Sequence, residues 1–335
     1  MKKILVTGGA GYIGSFMIRG LQNKGFEPII LDNLSQGHQE AVKDYRLEIV
    51  DLVTDKEKLE GLFASERFDG VIHMASFIQM GESFHDPAKY YVNNVIGFMN
   101  LLNLAKKHGV SKVILSSSAG VYGNPMRVPI KEEDPRNPLN PYGETKYIME
   151  RMLEDYDTAY GIKFAALRYF NAAGAANDGS IGEDHPGESH LIPNIIKKAL
   201  NGEEFTLFGD DYETPDGTCV RDYVHVLDLV EAHVLALEQL FAGSESCFYN
   251  VGLGRGYSNK EIINIVEKVT GLKVNVRVMP RREGDANELY ADNEKIKRSL
   301  GWEPKYGIED IIKTAYLWHK SHPFGYGSNL SNLRS

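Results

Sequence analysis

Short apolar segments alternate with longer helical patterns through the first half of this 335-residue chain. The apolar segments have the length of strands and are Lys3–Thr7, Pro28–Asp32, Leu47–Val50, Gly70–His73, Lys112–Ser117 and Lys163–Tyr169. The helical patterns between them include Gly11–Lys24, Pro87–His108 and Tyr142–Tyr160. Strands joined by helices of this length form right-handed βαβ units, whose parallel sheet is buried on both faces. The alternation therefore predicts an α/β fold with a doubly wound parallel sheet of the Rossmann type.

The alternation becomes less regular after about residue 170. Residues 172–190, AAGAANDGSIGEDHPGESH, are polar and rich in glycine, which is typical of a loop. Short strand patterns follow, interleaved with helical patterns at 191–202, 225–241 and 258–270. We predict a first domain over residues 1–170 and a second, smaller mixed α/β domain over 171–335. The segment near 222–250 is expected to pack back onto the first domain.

Charge and composition argue against several classes of partner. The formal net charge is −9 and the basic residues are scattered, so no basic patch is available for nucleic acid or an anionic membrane. The opening MKKILVTGG is too short an apolar run for a signal peptide, and no later run reaches the ~18 residues of a membrane span. Cys219 and Cys247 form neither a metal-binding spacing nor a disulfide framework. These features predict a cytoplasmic protein.

The segment KILVTGGAGYIGS places Gly8, Gly11 and Gly14 directly after a strand pattern and at the start of a helix. A dinucleotide pyrophosphate needs this arrangement, because the backbone must approach closely and the helix N-terminus supplies free N–H groups. A glycine-rich turn can also serve only to pack a helix on a sheet. Here PIILDN adds Asp32 at the end of the next strand, where a carboxylate binds ribose hydroxyls and repels the extra phosphate of NADP. The combination predicts NAD as cofactor.

The segment PYGETKYIMER places Tyr142 and Lys146 four positions apart, on one face of a predicted helix. Such a pair is common and means little alone. However, KVILSSSAGVYG ends a strand with Ser116, Ser117 and Ser118, at the sheet edge where ligands bind in doubly wound folds. A tyrosine, with its ordinary pKa near ~10, can act as a base only where positive charge stabilises its phenolate. Lys146 and the nicotinamide ring would supply that charge.

The GxxGxxG spacing and the order Ser118, Tyr142, Lys146 resemble the extended branch of the short-chain dehydrogenase/reductase family. VDLVTD, HMAS and YYVNN add to the resemblance. It implies that the serine, the tyrosine and the lysine are catalytic. The cofactor contacts that it implies are Gly8, Gly11, Tyr12, Ile13, Gly14, Asp32, Asn33, Asp51, Leu52, Met74, Ala75, Asn93, Ser116, Tyr142, Lys146, Tyr169 and Phe170.

Four later segments, LRYFNAAGA, ESHLIPNI, TLFGDDYETPDGTCVRDYVHVLDL and PRREGD, resemble the UDP-glucose 4-epimerase family. The resemblance implies inversion at C4 of a UDP-hexose through a 4-keto sugar, with tightly bound NAD, in a homodimer formed by helices such as 87–108 and 142–160. Guanidinium groups suit a diphosphate because they bind phosphate oxygens bidentately. The implied substrate contacts are Ser118, Asn171, His190, Leu191, Phe208, Arg221, Arg282, Asp285 and Leu289.

Several positions depart from the family pattern or leave alternatives open. Ile78 falls where many of these epimerases have a lysine, and His190 where an asparagine is common. A tyrosine at the place of Leu289 is associated with exclusion of N-acetylated sugars, so the smaller leucine predicts that they are accepted. GEDHPGESH could bind a metal, but without fixed ligand spacing we predict a substrate-covering loop and no metal.

Two other functions remain open from the sequence. The 4,6-dehydratases of the family carry an Asp–Glu pair after the position of Ser118, whereas this chain has Ala119 and Gly120, so elimination lacks its acid and base. Another NAD-dependent nucleotide-sugar epimerase or dehydratase is nevertheless an alternative. A non-catalytic NAD-binding regulator is the second alternative, but it would not need the serine, tyrosine and lysine together.

Overall fold

The computed structural model describes residues 1–282 and 285–327, so two residues of the PRREGD motif and the last eight of the chain lie outside it. The strands are β1 (Lys3–Thr7), β2 (Glu27–Asp32), β3 (Leu47–Ile49), β4 (Gly70–His73), β5 (Lys112–Ser116), β6 (Lys163–Tyr169), β7 (Asn171–Ala173), β8 (Glu204–Phe208), β9 (Val220–Arg221), β10 (Tyr223–His225), β11 (Cys247–Val251), β12 (Tyr257–Ser258), β13 (Asn275–Met279) and β14 (Glu288–Leu289). The helices are α1 (Tyr12–Asn23), α2 (Lys56–Ser65), α3 (Met80–His85), α4 (Pro87–Tyr90), α5 (Gly97–Lys107), α6 (Pro141–Tyr160), α7 (Leu191–Asn201), α8 (Val226–Phe241), α9 (Asn259–Thr270), α10 (Glu294–Leu300) and α11 (Ile308–Ser321). A π-helical turn over Tyr91–Ile96 joins α4 to α5.

Seven strands form one parallel sheet in the order β11, β6, β5, β4, β1, β2, β3. The central strand β1 lies between β2 and β4, with Val6 opposite both Ile30 and Ile72. The predicted doubly wound fold is confirmed, and each end of the six predicted strands lies within one residue of its expected position. The outermost strand β11 comes from much later in the chain and pairs with β6.

Alternate residues of each sheet strand contact opposite helical layers. In β1, Ile4 and Val6 pack with residues of α1 and α8, whereas Leu5 packs with residues of α2, α5 and α6. All three side chains are fully buried. Because both faces are covered, every position of such a strand favours an apolar residue, which explains the uninterrupted apolar segments of the sequence.

The later part of the chain builds smaller sheets beside the large one. β7 pairs with β10, β8 pairs with β13, and β9 lies between β12 and β14. Helices α7, α9 and α11 share a separate hydrophobic cluster with β8. Helix α8, in contrast, packs with strands of the large sheet, and β11 is one of the strands of that sheet. The division of the chain at residue 170 stays a prediction. Within the described ranges, no helix combines the length and apolar character needed to cross a membrane.

Candidate active site

The glycine-rich loop joins β1 to α1 at the carboxyl edge of the sheet. Gly8 has a φ of +71°, and a Cβ there would lie 2.6 Å from the backbone nitrogen of Ala75. A Cβ on Gly14 would lie 2.1 Å from the carbonyl oxygen of Gly8. Both positions therefore require glycine. Gly11 precedes the first turn of α1 and offers no side chain to cap it, so the amides of that turn are available to an anion. This backbone cradle fits a dinucleotide pyrophosphate.

Asp32 ends the neighbouring strand β2 and is held in place by the backbone. Its two carboxylate oxygens accept N–H bonds from Ala10, at 2.9 Å, and Leu34, at 2.8 Å. Burial raises the pKa of the Asp32 carboxyl, while these backbone bonds lower it. Beyond it, the Asn33 side chain donates to Asp51 at 2.7 Å. The three polar residues are therefore connected along the edge where the adenosine of NAD would bind.

Helix α6 carries the predicted tyrosine and lysine on its buried face. The helix begins at Pro141, and the Asn140 side chain caps it by accepting the N–H of Gly143 at 2.8 Å. One turn later, Lys146 is 1% exposed. Its ammonium donates to the backbone oxygen of Ser116 at 2.8 Å and to the hydroxyl of Ser76 at 2.9 Å. The cap fixes where the helix begins and therefore how far Tyr142 and Lys146 reach toward the carboxyl edge of the sheet.

The buried surroundings shift the pKa values of both groups. Burial lowers the pKa of Lys146 to about 7, although the charge of Glu150 one turn further raises it. Burial raises the pKa of Tyr142, and the Ser118 hydroxyl lowers it. The lysine nitrogen lies 5.9 Å from the centre of the Tyr142 ring. Ionisation of this phenol therefore depends on positive charge brought into the site.

Ser118 lies just beyond β5, in the turn that faces α6. Its hydroxyl accepts the N–H of Gly120 at 3.0 Å and caps the short 3₁₀ helix that follows. Ser116, at the end of β5, shares a hydrogen bond of 2.7 Å with the hydroxyl of Tyr169 on β6. The ends of two neighbouring strands and one helix thus bring the predicted catalytic groups together.

One pocket runs along this edge and joins most of the predicted contacts. The predicted residues that line it are Gly8, Gly11, Tyr12, Ile13, Gly14, Asp32, Asn33, Leu52, Met74, Ala75, Asn93, Ser116, Ser118, Tyr142, Tyr169, Phe170, Asn171, His190, Arg221 and Leu289. Ile78, where a lysine was expected from the family pattern, also lines it, so an apolar side chain occupies that place.

The remaining predicted residues lie outside the pocket lining, for different reasons. Lys146 is buried and donates to the backbone oxygen of Ser116. Asp51 accepts a hydrogen bond from the side chain of Asn33, and Leu191 begins α7 directly after His190. The other three are Phe208, Arg282 and Asp285, which form a group that contacts Arg221 through Asp285. In this group, Asp285 is 3.4 Å from Arg221 and 3.5 Å from Arg282, whose guanidinium lies 4.8 Å from the ring centre of Phe208. These contacts connect the three residues to the pocket lining through Arg221.

Five polar lining residues were not predicted from the sequence: Ser35, Gln36, Ser76, Glu183 and His185. Ser76 contacts the catalytic lysine candidate, and only its position after the strand pattern could have indicated it. Glu183 and His185 come from the loop predicted to cover the substrate. They lie close to His190, with one possible ligand atom of each residue within 4.8 Å of the others. The acidic residues and histidines that lie close together in that loop were the feature of the sequence that could have indicated Glu183 and His185.

Comparisons with known proteins agree with this geometry. Residues 4–252 match the model of the NAD dependent epimerase/dehydratase family. The UDP-glucose 4-epimerase of Lactobacillus helveticus is 48% identical over 97% of this chain and 99% of its own length.

Two solved structures are similar over nearly the whole chain. The UDP-glucose 4-epimerase of Brucella ovis, in complex with NAD, has a TM-score of 0.91 and 45% identity, over 94% of this chain and 98% of that one. The enzyme of Bifidobacterium longum, in complex with NAD+ and UDP, has a TM-score of 0.92 and 38% identity, over 97% of this chain and 100% of that one. The chain therefore belongs to the NAD dependent epimerase/dehydratase family.

Proposed function

We propose that this protein interconverts UDP-galactose and UDP-glucose by inverting the configuration at C4 of the sugar. The observation that carries this proposal is the pocket that joins the glycine cradle, Ser118, Tyr142 and Arg221 in one continuous lining. A cofactor site alone would not require the serine and tyrosine, and a sugar-binding site alone would not require the cradle. The names of the similar epimerases support the same activity.

The roles of the side chains follow from their environment. When bound, NAD supplies the acceptor and later the donor of the hydrogen carried by C4. Tyr142 takes the proton of the sugar O4 and returns it, which the charge of Lys146 and of the bound cofactor makes possible by stabilising the phenolate. Ser118 binds the same O4 and shares its proton. The first half-reaction yields a 4-keto sugar. The same protein groups therefore serve the second half-reaction, in which the hydrogen returns to the opposite face of the sugar.

The UDP part of the substrate is assigned to the part of the pocket that Arg221 lines. The guanidinium of Arg221 is fixed by its bonds to the backbone oxygens of Val220 and Ala286, both under 3 Å. A guanidinium held in this way is suited to a diphosphate. Anchoring only the UDP leaves the sugar free to turn over between the two half-reactions, as inversion requires.

The structure around Ser118 favours inversion over elimination. Ala119 and Gly120 directly follow it, and Ala119 is buried, so no carboxylate occupies the place where a dehydratase needs its acid and base. The burial of Lys146 argues against a regulator without chemistry. Burial opposes the charged form of this lysine and lowers its pKa to about 7, and a protein that only binds NAD would have no need of such a costly group.

The deciding experiment is to incubate the purified protein with UDP-galactose and no added cofactor. UDP-glucose is expected to form, and denaturation of the protein should release NAD and no NADP. Retention of the cofactor follows from a reaction without net redox change, and the choice of NAD follows from the carboxylate of Asp32. Absence of UDP-glucose would contradict the activity, and recovered NADP would contradict the role of Asp32.

We further propose that N-acetylated UDP-hexoses are substrates, because Leu289 lines the sugar end of the pocket. Its side chain packs against a small cluster that includes Phe170 and Ala291, and it lacks the ring and hydroxyl of a tyrosine. Leu289→Tyr is expected to abolish turnover of UDP-N-acetylglucosamine while that of UDP-glucose is retained. Both substrate pairs should be assayed. Equal activity of the variant on both pairs would show that this position is not the gate.

We also propose that the chain forms a homodimer in the cytoplasm. Five apolar side chains on α3, α5 and the turn between α4 and α5 are 39–51% exposed: Met80, Phe84, Val92, Ile96 and Met99. Exposed apolar patches of this kind mark contact surfaces. Cys219 and Cys247 are free thiols, which fits a reducing compartment. A monomeric mass in analytical ultracentrifugation would contradict the dimer.

A further inference from the structure

The loop before α7 brings a buried carboxylate to the pocket. The side chain of Glu183 is 3% exposed, and its backbone oxygen accepts the indole N–H of Trp318 at 3.1 Å. Asp184, the next residue, accepts the backbone N–H of Tyr326 at 2.9 Å. The loop is thus fixed from the side of α11, and its Glu183 side chain is directed to the pocket lining. A buried carboxylate is costly unless a cation accompanies it.

The accompanying cation is the imidazole of His190. Its Nδ1 lies 2.8 Å from the Glu183 carboxylate and 3.0 Å from that of Glu188, to which it donates a hydrogen bond. Two carboxylates at one ring nitrogen stabilise the doubly protonated ring. In the described part of the chain no hydrogen bond occupies Nε2, on the other side of the ring, and the side chain is 36% exposed.

We propose that Glu183 is a positioning residue, which holds His190 as a cation so that the ring donates Nε2–H to the diphosphate of the substrate. This inference rests on the proposed function. His190 is the residue directly before α7, so a bound phosphate would also meet the N-terminal end of that helix. Arg221 also lines the pocket, and its guanidinium lies 3.4 Å from Asp285.

The charges around the pair agree with this assignment. Burial lowers the pKa of His190, but Glu183 and Glu188 outweigh it and raise that pKa to about 10. His185 lies 3.4 Å from the same Glu183 oxygen. The other titratable groups that face this cluster are Asp184 of the loop, Tyr12 of α1, Lys197 of α7 and His319 of α11, whose pKa burial lowers to about 4.

The donor set of Glu183, His185 and His190 could in principle bind a metal ion instead. The contact of 2.8 Å between the Glu183 oxygen and His190 Nδ1 argues for a direct ion pair, because two ligands of one Zn²⁺, each about 2.0–2.2 Å from the metal, lie further apart. An imidazole whose Nδ1 already meets two carboxylates is accordingly assigned to phosphate binding through Nε2.

The test compares the affinity for UDP of wild type, Glu183→Gln, His190→Gln and the double variant, by calorimetry on the NAD-containing proteins between pH 5.5 and 9. Removing Glu183 lowers the pKa of His190 toward neutrality, so its charge is lost as pH rises. The ratio of dissociation constants, Glu183→Gln over wild type, should be near one at the lowest pH and about tenfold or more at the highest. Asp178→Asn, in the same loop and bonded to Ser180, is the control and should not change the affinity.

His190→Gln lacks the imidazolium at every pH, so its affinity should be low throughout and the double variant should bind no more weakly. A pH-independent ratio for Glu183→Gln, or additive losses in the double variant, would overturn the proposal. So would weak binding by chelator-treated wild type that zinc restores, since a metal would then be the cation. Because UDP binding needs no turnover, failure of the proposed epimerase activity would be seen separately, with UDP-galactose.

Discussion

Tyr142→Phe is expected to lower turnover of UDP-galactose by about 10²–10⁴-fold, the usual contribution of a general acid–base group. The phenylalanine ring fills the same buried space, in which Tyr142 is only 7% exposed. The substitution therefore removes the hydroxyl that exchanges the proton with O4 and leaves the packing of α6 intact. The measurement is steady-state turnover, together with the NAD content of the purified variant, which should equal that of wild type.

The matched control for this variant lies on the same helix. Tyr156→Phe also removes one hydroxyl from α6, but this hydroxyl donates to Asn103 at 2.7 Å, near the far end of the helix. Turnover of this control should remain within about twofold of wild type, because the loss of one exposed hydrogen bond affects stability only slightly. Wild-type turnover in Tyr142→Phe would refute the assignment of the base.

Arg168→Met is expected to lower the free energy of unfolding by about 3–5 kcal/mol, because it removes the buried partner of Glu150 and leaves that carboxylate with a single cation, the partly exposed Arg136 at 3.2 Å. The guanidinium on β6 is 1% exposed and binds the fully buried Glu150 of α6 through two bonds, of 2.8 and 2.7 Å. It also donates to the hydroxyl of Tyr122 and to the backbone oxygen of Glu132. Urea denaturation of wild type and variant, each with its NAD content determined, measures the loss.

The control for the buried pair is an ion pair at the surface. Arg127 binds Asp134 at 2.8 Å, but its side chain is 59% exposed. Exposed pairs contribute about 0–1 kcal/mol, so Arg127→Met should shift the denaturation midpoint little. If Arg168→Met were as stable as this control, the pair between α6 and β6 would not fix the position of the helix.

The large sheet could be predicted from the sequence because its strands are buried on both faces and read as uninterrupted apolar segments. The glycine loop was also predictable, since Gly8 and Gly14 occupy positions where any Cβ would collide with backbone atoms. These are local demands, and the residues that meet them are close together in the chain. The same holds for Tyr142 and Lys146, one turn apart on α6.

Contacts between distant parts of the chain could not be predicted in this way. Ser76 and Lys146 are 70 residues apart, and no pattern in either segment indicates the other. The pairing of Glu183 with His190 is close in sequence, but it depends on the path of a loop without regular structure. A helix has a fixed period, whereas the direction of a loop side chain is decided by tertiary contacts such as that of Trp318.

Strand β11 comes late in the sequence, which affects the order in which the chain can fold during its synthesis. β6 carries Arg168 and Tyr169, and its outer edge pairs with Cys247–Val251. A nascent chain that ends after β6 therefore exposes the backbone groups of a sheet edge, which other chains can pair with. Helix α8, which packs on α1, is also still missing at that stage. The catalytic edge of the sheet is thus completed only after about three quarters of the chain has left the ribosome, although most of its residues are made long before.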